Sequence, residues 1–346
     1  MEYMTFEHAI QTGILSPVLV TPHHSQAKGK DLSLELLKFV AMILIINVHS
    51  YMMYPPKYEM FATGGTIGDA LFMFCSGYTL FLGRIDRFDN WYKRRINRIY
   101  PSVFAWAIFS FYCFADDMNI GQIVGGASRW FIPCIMMYYV LLYFVRKYLM
   151  RFKWWVFVVA CIIPIVRFVM YEDIGSYHMY RNHTFRFFYW FPFMLMGAYI
   201  GSKNVILKQK VWRDAIMTLV CTGLHLGLLL ACTKKENLCP YQMLSLVPLM
   251  GTCIYLYNLF QADIFKLLMK SNVGYGIQAI AALCLESYIV QYVLFTDKIN
   301  YLFPLNIIIL VVEVILLAYA VRTLGRTFKQ LFEKEDFRWK EIFRLV

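Results

Sequence analysis

Windows of 18 or more mainly apolar residues recur from Leu32 to Leu324. Each is long enough to cross the hydrocarbon core of a bilayer, about 30 Å thick, as a helix. Inside a bilayer the backbone must satisfy its own hydrogen bonds, which restricts such a chain to helices packed in a bundle. Charged residues make up 16% of the chain and hydrophobic ones 60%, whereas a soluble domain carries about 25% charged residues. The expected fold is all-α, a polytopic membrane bundle. Ten spans are expected, near residues 32–53, 64–82, 101–115, 129–149, 154–171, 185–201, 212–233, 240–260, 274–295 and 302–324.

The net charge of +12 is spread unevenly over the connections. Arg84, Arg87, Lys93, Arg94, Arg95 and Arg98 follow the second span, Arg146, Lys147, Arg151 and Lys153 the fourth, and Lys203, Lys208 and Lys210 the sixth. The alternate connections hold Lys57, no basic residue from Asp116 to Ser128, and Lys298. This is the positive-inside bias, and it places both termini in the cytoplasm of a cell that carries the chain in its inner membrane. Residues 1–31 are then a polar cytoplasmic segment, 32–324 the membrane domain and 325–346 a cytoplasmic tail. Basic strips between apolar spans make a poor groove for a duplex, so no nucleic-acid partner is expected. No apolar run follows a basic start, so no cleavable signal is expected. His23 and His24 belong to the polar N-terminal segment, and no metal site is expected. The nine cysteines include no CxxC pair; most sit in apolar spans, where they act as small hydrophobes. Cys232 and Cys239 flank one short loop and could pair.

Three stretches carry chemistry. The first span holds Lys38 near one end and His49 near the other. Charged or titrating groups inside an apolar span are costly, so by default they mark function. Eleven residues at about 100° each make about three turns, which puts Lys38 and His49 on one face roughly 16 Å apart, with Glu35 near the same stripe. A neutral imidazole suits the removal of a proton from a hydroxyl. The plain alternative is a histidine satisfied by Asn47 or water. In the second stretch, Asp89 to Pro101, Arg94, Arg95 and Arg98 are three and four residues apart and share one side of a helix. They suit bidentate capture of phosphates, or equally an anchor to lipid phosphates. In the third, Gly68 to Leu80, Ala70, Ser76 and Gly77 permit close helix packing, while Asp69 lies near the outer end, within reach of water.

These stretches, in their order, resemble the opening of acyltransferase family 3, multi-pass enzymes that O-acylate cell-surface carbohydrates. LELLKFVAMILIINVHS matches the family's first helix, with Lys38 where arginine is usual and His49 as its catalytic histidine. Leu71 to Gly77 match its second helix, and Arg94, Arg95, Arg98, Ile99 and Pro101 match its arginine-rich segment. Trp130 and Phe131 match a later Trp-Phe helix, and FPFMLMGAYIG another. LESYIVQYVLF matches a late helix, with Gln291 in place of the usual histidine. The similarity covers most of Leu32 to about Arg322.

The resemblance implies transfer of an acyl group, most simply acetyl from acetyl-CoA, to a hydroxyl of a cell-surface or lipid-linked polysaccharide. It assigns His49 and Lys38 to catalysis and Arg94, Arg95 and Arg98 to the acyl-CoA phosphates. Asp69, Trp130, Arg186 and Gln291 are the candidate acceptor-binding residues. Glu286 and Glu313 are left as carboxylates inside the late spans, and His225 as a packed histidine. The rivals are a transporter or flippase of lipid-linked sugars, whose inverted repeats are not evident here, and a non-catalytic scaffold.

Overall fold

Apolar stretches that must close their own backbone hydrogen bonds do so as helices, and a computed structural model of the chain contains helices and turns with no strand among the described residues. Those residues are 31–127, 130–170, 179–180, 185–202 and 209–344. The polar segment with His23 and His24 lies outside them. We number the helices α1 (Leu32–His49), α2 (Gly65–Leu82), α3 (Phe88–Phe114), α4 (Ile120–Val124), α5 (Phe131–Phe144), α6 (Lys153–Val169), α7 (Arg186–Tyr189), α8 (Phe191–Gly201), α9 (Val211–Lys234), α10 (Leu246–Phe260), α11 (Asp263–Lys270), α12 (Asn272–Ala282), α13 (Cys284–Val290), α14 (Leu305–Gln330) and α15 (Trp339–Ile342).

Among the described residues, six helical stretches are long and apolar enough to cross a membrane: Leu32–His49, Pro56–Leu82, Phe131–Val169, Val211–Cys232, Asn237–Phe260 and Leu305–Gln330. A seventh is the pair Asn272–Ala282 and Cys284–Val293, bent by 54° at its break. The other expected spans are helical but differ in kind. Those near 129–149 and 154–171 fall on one helical stretch of 39 residues, because the basic segment between them winds through a wide turn, Val145–Leu149, and a tight one, Met150–Phe152. The stretch near 185–201 is apolar because it is inside the protein: every residue from Pro192 to Gly201 is buried. Its 11-residue helix is about 16 Å long, half of a crossing. The stretch near 101–115 is the apolar end of α3, whose first half carries the arginines.

Two packings position the site. The connection from α1 folds back so that α2 runs antiparallel to it: Gly65 lies against Val48, Gly68 against Ile45, and the Cys75 thiol faces the Leu34 carbonyl at 3.9 Å. The Asn47 side chain pins that connection by donating to the carbonyls of Phe61 (2.8 Å) and Thr63 (3.0 Å). On its other face α2 meets α8 backbone to backbone. A Cβ at Gly77 would stand 1.8 Å from the Met194 carbonyl oxygen, and one at Gly197 would stand 2.0 Å from that of Phe74. Only glycine allows this approach, the small-residue packing expected of Gly77. Cys232 and Cys239 are both free thiols.

Candidate active site

The face of α2 turned from α8 carries Phe72, Cys75, Ser76 and Thr79 into a cavity of about 150 Å³. α1 supplies Lys38 and Ile45, α3 supplies Arg95, Arg98 and Ile99, and α5 supplies Phe131, Ile135 and Tyr139. The bent pair closes it with Ala282, Cys284, Leu285 and Tyr288. Lys38 therefore meets Arg95 and Arg98, which lie more than fifty residues further along the chain.

Each cation is held differently. Lys38 donates to Glu35 at 3.0 Å, one turn earlier on α1. Arg95 lays its guanidinium 4.8 Å from the centre of the Trp91 ring, itself buried. Arg98 makes no hydrogen bond or ion pair among the described residues and reaches both this cavity and a second one. Arg94 is not part of the group. It turns to Asp86 in the connection before α3, where Arg84 also binds. The Arg94 hydrogen bond, with the charge of Arg84, holds the partly exposed Asp86 carboxyl below the usual carboxylate range. The three arginines were expected on one side of the helix; Arg95 and Arg98 line the cavity, while Arg94 is held away from it by Asp86.

His49 stands one turn beyond Ile45, outside the cavity lining. Its Nε2 lies 3.1 Å from the Tyr292 hydroxyl, and the two rings are 5.0 Å apart. Tyr292 in turn meets Tyr288, ring centres 6.4 Å apart, and Tyr288 lines the cavity. Two tyrosines thus connect the cationic cavity to the imidazole. Sequence reasoning missed both, though LESYIVQYVLF contains them. Asn47 is occupied by the connection it pins and accepts from Tyr54 at 2.5 Å, so the partner of His49 is Tyr292 and not Asn47.

Of the expected acceptor-binding residues, three converge. Arg186 lies over the Trp130 ring at 5.0 Å and donates through Nε to the Tyr180 carbonyl at 2.7 Å; it is near enough for its charge to act on Asp69. Phe131, next to Trp130, packs edge-on against Phe72 of the cavity, ring centres 6.1 Å apart. Gln291 does not join them: it is fully buried, and its amide donates to the Tyr288 carbonyl at 3.3 Å. Arg181 and His183 lie outside the described residues. His225 is a packed histidine, fully buried, with Nε2 2.8 Å from the Thr66 hydroxyl and Nδ1 2.9 Å from the Ser245 carbonyl. Glu286 accepts from Ser102 at 2.7 Å, and Glu313 is exposed on α14.

A family model described as an acyltransferase domain matches residues 31–323. The chain belongs to acyltransferase family 3. It is therefore a membrane enzyme that transfers acyl groups other than amino-acyl groups, and the transporter and scaffold readings fall away. No curated protein and no solved structure matches the acyltransferase. The matched residues include every member of the cavity and His49.

Proposed function

We propose that the enzyme takes an acyl group, acetyl in the simplest case, from a coenzyme A thioester on the cytoplasmic side and passes it to a hydroxyl of a cell-surface or lipid-linked polysaccharide. The observation that carries this reading is the cavity itself. Lys38, Arg95 and Arg98 converge at it, and its apolar walls lead to Ile45 and Tyr288, one helical turn and one tyrosine short of His49. Guanidinium and ammonium groups would grip the phosphates of the donor. The apolar walls suit an extended thioester arm. His49 would remove the proton of the acceptor hydroxyl, or take the acyl group and release it outward. Tyr292 would hold the imidazole in place. Asp69, Trp130 and Arg186 would face the sugar, Trp130 offering an aromatic face and the other two hydrogen bonds. The orientation follows the positive-inside bias, with both termini cytoplasmic and the inner membrane as location.

The test uses purified protein in lipid nanodiscs. Hydrolysis of acetyl-CoA without acceptor, and a gain of one acetyl mass on the host's surface glycan, are the expected results. His49→Ala should lower transfer at least a hundredfold, the scale of a lost general base, while inserting and melting as the wild type does. Retained transfer in that variant rejects His49 as the base.

A further inference from the structure

The passage has a second chamber. It holds about 280 Å³, against about 150 Å³ for the first, and shares Arg98, Ala282, Cys284 and Leu285 with it. Its other walls are α3, through Asn97, Pro101 and Ser102, and the end of α14, through Arg322, Gly325, Arg326 and Lys329. Gly325 brings these helices together, since a Cβ there would stand 3.1 Å from the backbone of Pro101 and Ser102. The two chambers differ in chemistry. The first sets Lys38, Arg95 and Arg98 against walls that include Ile45, Phe72 and Phe131. In the second, which has fewer apolar walls, four cations face one carboxylate, Glu286.

The protein leaves that excess positive charge largely unanswered. Glu286 accepts from Ser102. Arg322 spends Nη1 on the Ala282 carbonyl that the bend at Leu283 exposes; its Nε and Nη2 donors have no partner among the described residues. Among the described residues Lys329 pairs only with Glu333, 3.7 Å away on the surface. Arg98 has no hydrogen bond or ion pair among the described residues. Arg326 is committed, donating to the carbonyls of Glu341, Ile342 and Arg344 in the tail. Like charges crowded beside a membrane are costly unless an anion joins them, and arginine forks match phosphate oxygens bidentately.

We propose that this chamber seats the diphosphate of the acyl donor, with Arg98, Arg322 and Lys329 as its ligands and Arg326 fixing the tail beside them. The inference rests on the donor reading above and adds three residues from the far end of the chain to it. The placement agrees: the more highly charged chamber adjoins the one with more apolar walls, and Arg98 lines both.

The experiment measures binding of free coenzyme A, and of pantetheine (the same arm without phosphates), to the full chain in nanodiscs. Lys329→Ala and Arg322→Gln should each weaken coenzyme binding about tenfold, the scale of one charge-assisted hydrogen bond. Lys329→Arg should restore it, and pantetheine binding should not move. Lys329 is at the exposed rim, so its variants keep the fold even if Arg322→Gln does not. Several results overturn the inference. Coenzyme binding may be lost in Arg95→Ala yet intact in the Lys329 and Arg322 variants, which leaves the donor reading standing. Both ligands may weaken equally, which means that the substitutions act on the fold. Lys329→Ala may instead release co-purifying phosphatidylglycerol with coenzyme binding unchanged, which makes the chamber a lipid headgroup site. A wild-type protein that binds no coenzyme removes the donor reading and this inference together.

Discussion

The two ends of the passage are built on different terms. At the inner end the cations face open space: Arg98 has no hydrogen bond or ion pair among the described residues, and Lys38 has Glu35 alongside it. At the outer end the cation and the histidines each have partners in the protein. His49 is held by Tyr292, Arg186 is held by Trp130 and the Tyr180 carbonyl, and both nitrogens of His225 are taken. An end with charge to spare awaits an anion. An end whose groups are already engaged awaits a neutral ligand that exchanges one set of hydrogen bonds for another. The difference is the one the proposed donor and acceptor ends require.

Substitutions at the inner end should then change donor affinity, and those at the outer end should change turnover. The largest effect expected inside this contrast is at Arg95. Arg95→Ala removes a guanidinium stacked on Trp91 and facing the cavity, and should raise KM for the coenzyme thioester by tens of fold with kcat nearly unchanged, the signature of lost uniform binding. Arg94→Ala, one residue away but turned to Asp86, should leave KM within about twofold, the span of a surface contact. Steady-state kinetics on the two variants decide it, and equal KM changes would dissolve the distinction between the neighbours.

That distinction also shows where the sequence is informative. The membrane class, the apolar helices, Lys38, His49 and the cationic run could all be read from the chain, because charge inside an apolar span is a strong signal. The separation of Arg94 from Arg95 depends on Asp86, a carboxylate in a connection whose path no periodicity describes. Tyr288 and Tyr292 escaped because tyrosine near a membrane edge is ordinary, and because the 54° bend re-aims the face of the helix that carries them. The apolar stretch at α8 read as a membrane span because burial in protein and burial in lipid select the same residues. The basic segment at 145–152 read as a loop because charge alone does not stop a helix; here the backbone passes through it in wide and tight turns.

An intermediate effect is expected at the outer end. Tyr292→Phe keeps the ring stacked near His49 but removes the hydroxyl that meets its Nε2. One hydrogen bond of about 1 kcal/mol corresponds to roughly a fivefold fall in kcat, with KM for the donor unchanged. A KM shift as large as that of Arg95→Ala would mean that the two ends act as one site and would sink the contrast.

The smallest effect tests why Arg94 stays outside. Asp86 is partly exposed, and its carboxyl is held below the usual range by the hydrogen bond from Arg94 and the charge of Arg84. A group whose folded value is lowered contributes stability above its unfolded value and loses it as pH falls through the folded one. Asp86→Asn should therefore lower the melting temperature slightly at neutral pH. The gap should close in acid, where the wild-type carboxyl is protonated too, and in high salt, which screens exposed pairs. The same substitution frees Arg94 from its carboxylate. If Asp86 alone keeps that guanidinium from the passage, donor KM should fall modestly in Asp86→Asn and return in the Asp86→Asn, Arg94→Ala double variant. If KM does not move, Asp86 is not what keeps Arg94 from the passage and is only its surface partner.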